Sequence, residues 1–237
     1  MYKGKKILAV VPARGGSKGI KLKNLRKIAG KSLVAWAGYV LDRTPLVDRK
    51  VVSTDHKEIA QEAINNSMEA PFFRPEHLSG DFISDLDVLT HALNESEKIF
   101  QERFDVVTML QPTSPARTPE QIEEVLKKLI DEDLDAVWTV SATDLKFHPL
   151  KQLSIDEHGL MDFFLEEGKS IIARQQLKPV YHRNGICYAF TRDCLLNQKH
   201  IKGNRTGAVV IEGKIPNIDT LEDLELAERV MQKLGWS

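Results

Sequence analysis

Several stretches of the 237-residue chain combine side chains that could do chemistry. The most prominent is Pro12-Ala13-Arg14-Gly15-Gly16-Ser17-Lys18-Gly19, continued by Lys21, Lys23 and Asn24. Glycines let a backbone turn tightly and bring N–H groups against an anion, and Arg14, Lys18, Lys21 and Lys23 add positive charge around them. The segment therefore reads as an anion-binding loop, with a solvated basic turn as the alternative. It fits neither the Walker A spacing nor the GxGxxG dinucleotide fingerprint. Further along, Ala173-Arg174-Gln175-Gln176 and Tyr181-His182-Arg183-Asn184-Gly185 supply two arginines whose planar forks suit a carboxylate, so an acidic substrate is suggested. Exposed basic residues are the alternative there. In Leu110-Gln111-Pro112-Thr113-Ser114-Pro115 the two prolines hold Gln111 and Ser114 extended and fix the path of a polar loop. Ser53-Thr54-Asp55 either ends a strand with a functional acid or caps the next helix. The histidines show no HxH or HExxH spacing, so a histidine metal site is not expected, and His77, His91 and His148 read as ordinary polar or packing residues.

The elements that must position these residues alternate. Near-continuous apolar runs at Ile7 to Val11, Lys50 to Ser53, Val106 to Leu110 and Ala136 to Val140 read as strands covered on both faces. Between them, Ser32 to Arg43, His56 to Asn66, Asp85 to Phe104 and Pro119 to Glu132 carry apolar residues at helical spacing. Asp55 with Glu58, Ser84 with Asp87, and Thr118 with Pro119 and Gln121 look like capped helix starts. This alternation predicts an α/β, doubly wound, mostly parallel sheet, whose ligands bind at the carboxyl ends of the strands. The pattern breaks after Val140. From about 143 to 178 the chain is polar, interrupted by Pro149, Gly159 and Gly168, and carries the Phe163-Phe164-Leu165 cluster; it reads as an inserted arm. Gly185 to Phe190 and Ala208 to Glu212 return to strand character, and Thr220 to Leu234 reads as a last helix capped by Thr220. Residues 1–237 are thus expected to form a single domain bearing an arm.

Composition narrows the function classes. Lysine and arginine total 33 against 34 aspartate and glutamate, a formal net charge of -1, so no global field exists for a nucleic-acid or anionic lipid surface and any anion recognition is local. No apolar run is longer than Ile7 to Val11, far short of the roughly 20 residues of a membrane-spanning helix. That run is also too short, and too soon followed by charge, for a signal peptide. With only Cys187 and Cys194 and no CxxC pattern, neither a disulfide scaffold nor a structural zinc site is expected. The reading is a cytoplasmic protein without nucleic-acid or membrane partners.

In order along the chain, Val11 to Gly19 with Leu22-Lys23-Asn24, Val52 to Asp55, Phe73-Arg74-Pro75, Leu110 to Pro115 with Arg117-Thr118, His148-Pro149, Arg174-Gln175-Gln176, Asn184-Gly185 and Ile218-Asp219 resemble the N-acylneuraminate cytidylyltransferases. These are the CMP-sialic acid synthetases, with relatives that activate legionaminic or pseudaminic acid. The resemblance runs from about residue 7 to residue 228. It implies a Rossmann-like nucleotidyltransferase fold and a reaction in which CTP and an acidic nine-carbon sugar give the CMP-sugar and pyrophosphate, with Mg2+ or another divalent cation such as Mn2+. Carried over position by position, it places Arg14, Gly15, Ser17, Lys18, Gly19, Lys23, Asn24, Arg74 and Ser84 at the nucleotide. Gln111, Lys151, Arg174, Gln175 and Tyr188 fall at the sugar, and Arg14, Lys23 and Asp219 in catalysis. Asp219 is the implied metal ligand, with Asn217 offering a neutral amide oxygen beside it. The arm would make a homodimer and lend residues to the neighbouring site, through Phe163 and Phe164.

Two positions depart from the family pattern. Asn217 stands where relatives commonly carry a first aspartate, and His182 stands where an arginine usually precedes the Asn-Gly pair, with Arg183 one residue later. The alternatives are a 3-deoxy-manno-octulosonate cytidylyltransferase, against which the Gln111 to Pro115 loop speaks, and a nucleotide-binding module without turnover.

Overall fold

The structure, a computed structural model, describes every residue except Lys214, Leu234 and Ser237. Its strands in chain order are β1 (Ile7–Pro12), β2 (Lys27–Ile28), β3 (Lys31–Ser32), β4 (Arg49–Ser53), β5 (Val106–Met109), β6 (Ala136–Ala142), β7 (Leu153–Ile155), β8 (Met161–Phe163), β9 (Tyr181–Thr191) and β10 (Thr206–Val210). The helices are α1 (Leu33–Leu41), α2 (Lys57–Ile64), α3 (Asp85–Phe100), α4 (Pro119–Asp131), α5 (Arg192–Leu196) and α6 (Leu221–Lys233). The predicted end of the last helix, Leu234, lies outside the described residues.

Six strands form one sheet in the order β10-β6-β9-β5-β1-β4. The β1/β4, β1/β5 and β10/β6 pairs are parallel, and β9 runs antiparallel to both its neighbours. Alternation along β1 shows why its whole run is apolar. Ile7, Ala9 and Val11 pack into a cluster with α1, α2 and α4, while Leu8 and Val10 pack into a second cluster with α3 and α5. Helices therefore cover both faces, as the doubly wound reading requires. A third cluster, around Ile20, Trp36, Ile218 and Met231, ties the segment after β1 to α1 and α6.

The predicted caps divide. Ser84 accepts the Asp87 N–H at 3.2 Å, Thr118 and Gln121 form a complete capping box, and Thr220 accepts the Asp223 N–H at 3.3 Å. Asp55 does not cap α2. The N-cap is His56, with no side-chain bond to the helix, because the Asp55 carboxylate is engaged by the β1 loop.

The arm leaves the sheet between β6 and β9. Its base is closed by the Thr143 N–H donating to Val180 O and by His148, buried with Nε2 3.1 Å from Lys178 O and Nδ1 accepting the Leu150 N–H. Its tip is the β7/β8 hairpin, every residue of which is exposed.

Candidate active site

The carboxyl ends of β1 and β5 open into a cleft of about 600 Å³ whose lining includes Pro12, Arg14, Lys23, Arg74, Gln111 and Asp219. This is where a doubly wound sheet offers its ligand site. Two contacts fix the path of the loop after β1. The Asn24 amide donates to Arg14 O at 3.0 Å, and the Gly15 N–H donates to Asp55 Oδ1 at 2.8 Å. The Gly15 N–H is thus turned to a carboxylate, and Gly15 does not line the cleft, which differs from its expected place at the nucleotide. Gly19 is needed for close approach: a Cβ there would sit 2.6 Å from Asp219 O, on a segment 200 residues later in the chain.

The cations of the cleft each face an acid or a carbonyl. Arg14 Nη2 lies 2.8 Å from Asp81 Oδ1, and Lys18 Nζ lies 2.5 Å from Asp81 Oδ2. Hydrogen bonds from Lys18 and then Arg14 hold the Asp81 carboxyl below the usual carboxylate range. Lys23 Nζ donates to Asp219 Oδ1 at 2.9 Å and to Ile218 O at 2.8 Å. Arg74 is buried and donates through Nη2 to Ser53 O at 2.7 Å, while its Nε has no partner among the described residues. Burial pushes the Arg74 guanidinium below the ordinary arginine range, with Asp55 opposing the shift. Ser17, Lys18, Gly19, Asn24 and Asn217 also line the cleft. Ser84 does not; its hydroxyl caps α3, while Ile83 and Asp85 on either side of it reach the cleft wall.

Behind the cleft, β9 is bulged. The β6/β9 register shifts between Trp138 and Val140, and the Thr139 hydroxyl fills the gap by donating to Asn184 Oδ1 at 2.7 Å and accepting the Cys187 N–H at 3.0 Å. Gly185 takes φ +76°, and a Cβ there would lie 2.4 Å from Ser114 Oγ. Ser114 donates to Asn184 O at 2.9 Å, and the fully buried Arg117 donates to Gln111 O and Gly185 O. These bonds fasten the Gln111 to Pro115 loop to the bulge. Burial lowers the Arg117 pKa to about 10, so the guanidinium stays charged at neutral pH.

Tyr188 requires a correction. It is buried, its ring is edge-on to Trp138, and its hydroxyl accepts the Gly185 N–H at 2.6 Å. It therefore supports the bulge and does not face the cleft. Lys151, Arg174 and Gln175 are likewise not brought to this cleft. Lys151 and Arg174 line a separate hollow inside the arm, with Leu150, Phe163 and Ile171, and Gln175 is exposed nearby. Of the residues placed at the sugar, Gln111 alone lines the cleft.

Two residues of the cleft escaped sequence reasoning, and a third was noticed without its role. Asp81 lies in a Ser-Gly-Asp turn with nothing local to mark it, and Asp85 is doubly engaged as the first residue of α3 and as acceptor from Arg183 at 3.1 Å; Arg117 stood in the family pattern, but nothing there gave its work of anchoring the Gln111 loop. For that role the prolines around Arg117 were a signal, since a rigid loop needs something to hold it.

Comparison with known proteins fits this geometry. Residues 8–234 match the family described as cytidylyltransferase. The chain is 32% identical over 233 residues to a CMP-N,N'-diacetyllegionaminic acid synthase of Legionella pneumophila, covering 96% of this chain and 97% of the relative. It is 28% identical over 224 residues to a pseudaminic acid cytidylyltransferase of Campylobacter jejuni, covering 94% and 95%. Among solved structures, a CMP:2-keto-3-deoxy-manno-octonic acid synthetase complexed with CTP matches with a TM-score of 0.71 at 20% identity, over 97% of this chain and 99% of that one. That likeness establishes the Rossmann-like nucleotidyltransferase fold. With a cation-lined cleft at the strand ends and a family match across nearly its whole length, this chain belongs to the cytidylyltransferases, enzymes of nucleotidyl transfer.

Proposed function

We propose that the enzyme transfers the cytidylyl group of CTP to an acidic nine-carbon sugar of the nonulosonic type, releasing pyrophosphate. The observation that carries this reading is the gathering of Arg14, Lys18, Lys23 and Arg74 in one cleft at the carboxyl ends of the strands. The relatives named as legionaminic and pseudaminic acid enzymes supply the acceptor class. In the reaction, a sugar hydroxyl attacks the α-phosphorus and releases its proton to water, the new P–O bond forms as the bond to pyrophosphate breaks, and negative charge grows on the leaving oxygens. Such a transfer asks for positioned reactants and fixed positive charge. Arg14, Lys18 and Lys23 supply that charge, and Gln111, on its fastened loop, meets the acceptor.

A divalent cation fits the donor set at Asp219. Its carboxylate is largely exposed at the cleft, only Oδ1 is engaged by Lys23, and Asn217 lines the same wall. No three His, Cys, Asp or Glu side chains gather into a cage among the described residues, which suits magnesium completed by substrate oxygens rather than a protein-only site. Asp219 would hold the ion, with Asn217 giving an amide oxygen or orienting a water; the ion, Mg2+ or Mn2+, would add positive charge at the triphosphate. The arm, on this reading, pairs two copies of the chain and carries Lys151, Arg174 and Gln175 toward the partner's site, so that residues 1–237 act as one domain whose sugar pocket is completed by dimerisation.

Pyrophosphate release tests the proposal. CTP should support turnover with N-acetylneuraminate, legionaminate or pseudaminate. Equal rates with UTP or ATP would sink the nucleotide assignment, and turnover confined to the eight-carbon acid would move the enzyme to the octulosonate branch.

A further inference from the structure

The cleft that must receive a polyanion already holds an anion of the protein's own. Asp81 stands in the turn before α3, and each of its carboxylate oxygens meets a different cation of the β1 loop: Oδ1 meets Arg14 at 2.8 Å and Oδ2 meets Lys18 at 2.5 Å. A carboxylate whose task was only to brace those cations would sit behind them. Asp81 instead lines the cleft itself, beside the two cations, and its side chain remains about a third exposed. A phosphate reaching Arg14 and Lys18 therefore meets the Asp81 charge nearby, and the two anions compete for the same pair of cations.

We propose that Asp81 is an internal counter-anion: it occupies Arg14 and Lys18 while the cleft is free, gives them up to the nucleotide's phosphates, and recovers them as pyrophosphate leaves. The inference rests on the phosphate cleft of the proposed function and deepens it. Exchange of one carboxylate for a more highly charged ligand leaves the cations paired at every stage, so the loop never presents unpartnered charge. It also sets an affinity limit for pyrophosphate, since the departing product competes with a tethered anion for its own binding site. Asp81 acts through Arg14 and Lys18 and is thus a positioning residue rather than a catalytic one.

The direction of the effect makes it testable, because damage to a binding site weakens binding whereas loss of a competitor tightens it. Calorimetric titration of the full-length protein with CTP, and separately with inorganic pyrophosphate, should show Asp81→Asn binding both about three- to tenfold tighter than the unsubstituted protein, the range for losing two partly exposed ion pairs. Product inhibition by pyrophosphate should strengthen in the same proportion, and Asp81→Glu, which restores the charge, should return toward the starting affinity. If Asp81→Asn does not fold, as judged by its melting curve, Asp81→Ser carries the same prediction. Equal or weaker pyrophosphate binding in the neutral variants overturns the counter-anion. Absence of CTP binding beside pyrophosphate binding that still tightens on substitution would sink the cytidylyl reading and leave the counter-anion standing.

Discussion

At the scale of single residues, Lys23 and Arg117 illustrate two ways for a cation to serve the cleft. Lys23 is mostly enclosed, and its ammonium is held between Asp219 and a carbonyl at the cleft edge, where a polyphosphate can replace part of that shell. Lys23→Ala should lower kcat/KM in a pyrophosphate-release assay by about a hundredfold, the size typical of a lost electrostatic stabiliser. Unchanged kinetics would return the loop to a solvated basic turn. Arg117 is not among the residues that line the cleft. It is wholly buried with no carboxylate partner, and Nε and Nη1 make no bond among the described residues, so its charge is tolerated for the two carbonyls it holds. Arg117→Ala removes both contacts and leaves a void, which should cost about 2–5 kcal/mol in a urea titration. Arg117→Met, which fills the volume, should recover part of the stability while kcat stays low, because Gln111 loses its anchor.

At the scale of elements, the bulge in β9 decides how well the site is aimed. Gly185→Ala combines a left-handed backbone with a side chain driven into Ser114 Oγ, so a loss of about 2–4 kcal/mol is expected, again by denaturant titration, with a fall in kcat larger than the change in the KM for CTP. A second junction joins α3 to α5 through the bidentate pair of Arg192 with Glu97, both bonds at 3.0 Å. Burial alone would raise the Glu97 carboxyl, but the Arg192 donors and the Phe104 N–H outweigh it and hold the group below its ordinary range. A carboxylate depressed in the folded state stabilises above its unfolded pKa and loses that contribution as pH falls through the folded value. Glu97→Gln should therefore cost about 1–2 kcal/mol at pH 7, discounted for partial exposure, and the difference between the two proteins should shrink as pH falls below the ordinary glutamate range and on through the depressed folded value. The elements themselves were legible. Every predicted strand and helix is present to within a few residues, because periodicity and capping residues act locally. The bulge was not: Asn184-Gly185 stood out as a feature of the family pattern, yet its work is to close a ladder gap opposite Thr139, a partner 45 residues away in the chain. Asp55 misled for the same reason, since a residue well placed to cap a helix was taken by the Gly15 N–H, 40 residues earlier in the chain.

At the scale of the whole molecule, the arm is the least self-sufficient part. Ile155, Met161, Phe164 and Ile172 are each more than 60% exposed, a concentration of apolar surface that marks an interface on a polar segment. A second copy of the chain is the occupant that the proposed function favours. Phe164→Asp should convert a sedimenting dimer to monomer and abolish sugar-dependent turnover while leaving CTP affinity within about twofold, since the arm lies apart from the nucleotide cleft; a fully active monomer would remove the shared-site idea. The contact between Lys23 and the Ile218-Asp219 segment has a different reach. It joins positions 195 and 196 residues apart, and Gly19 leaves no room for a side chain against the same late segment. During synthesis the β1 loop emerges well before the segment that forms its last wall, which follows Lys23 by 195 residues. A ribosome-stalled chain ending before Ile218 could already own most of the sheet, yet it would have no ordered place for Lys23 to rest. The wall against which Lys23 rests is thus completed only by contacts that reach across most of the fold, so this corner of the cleft is among the last to take its final form.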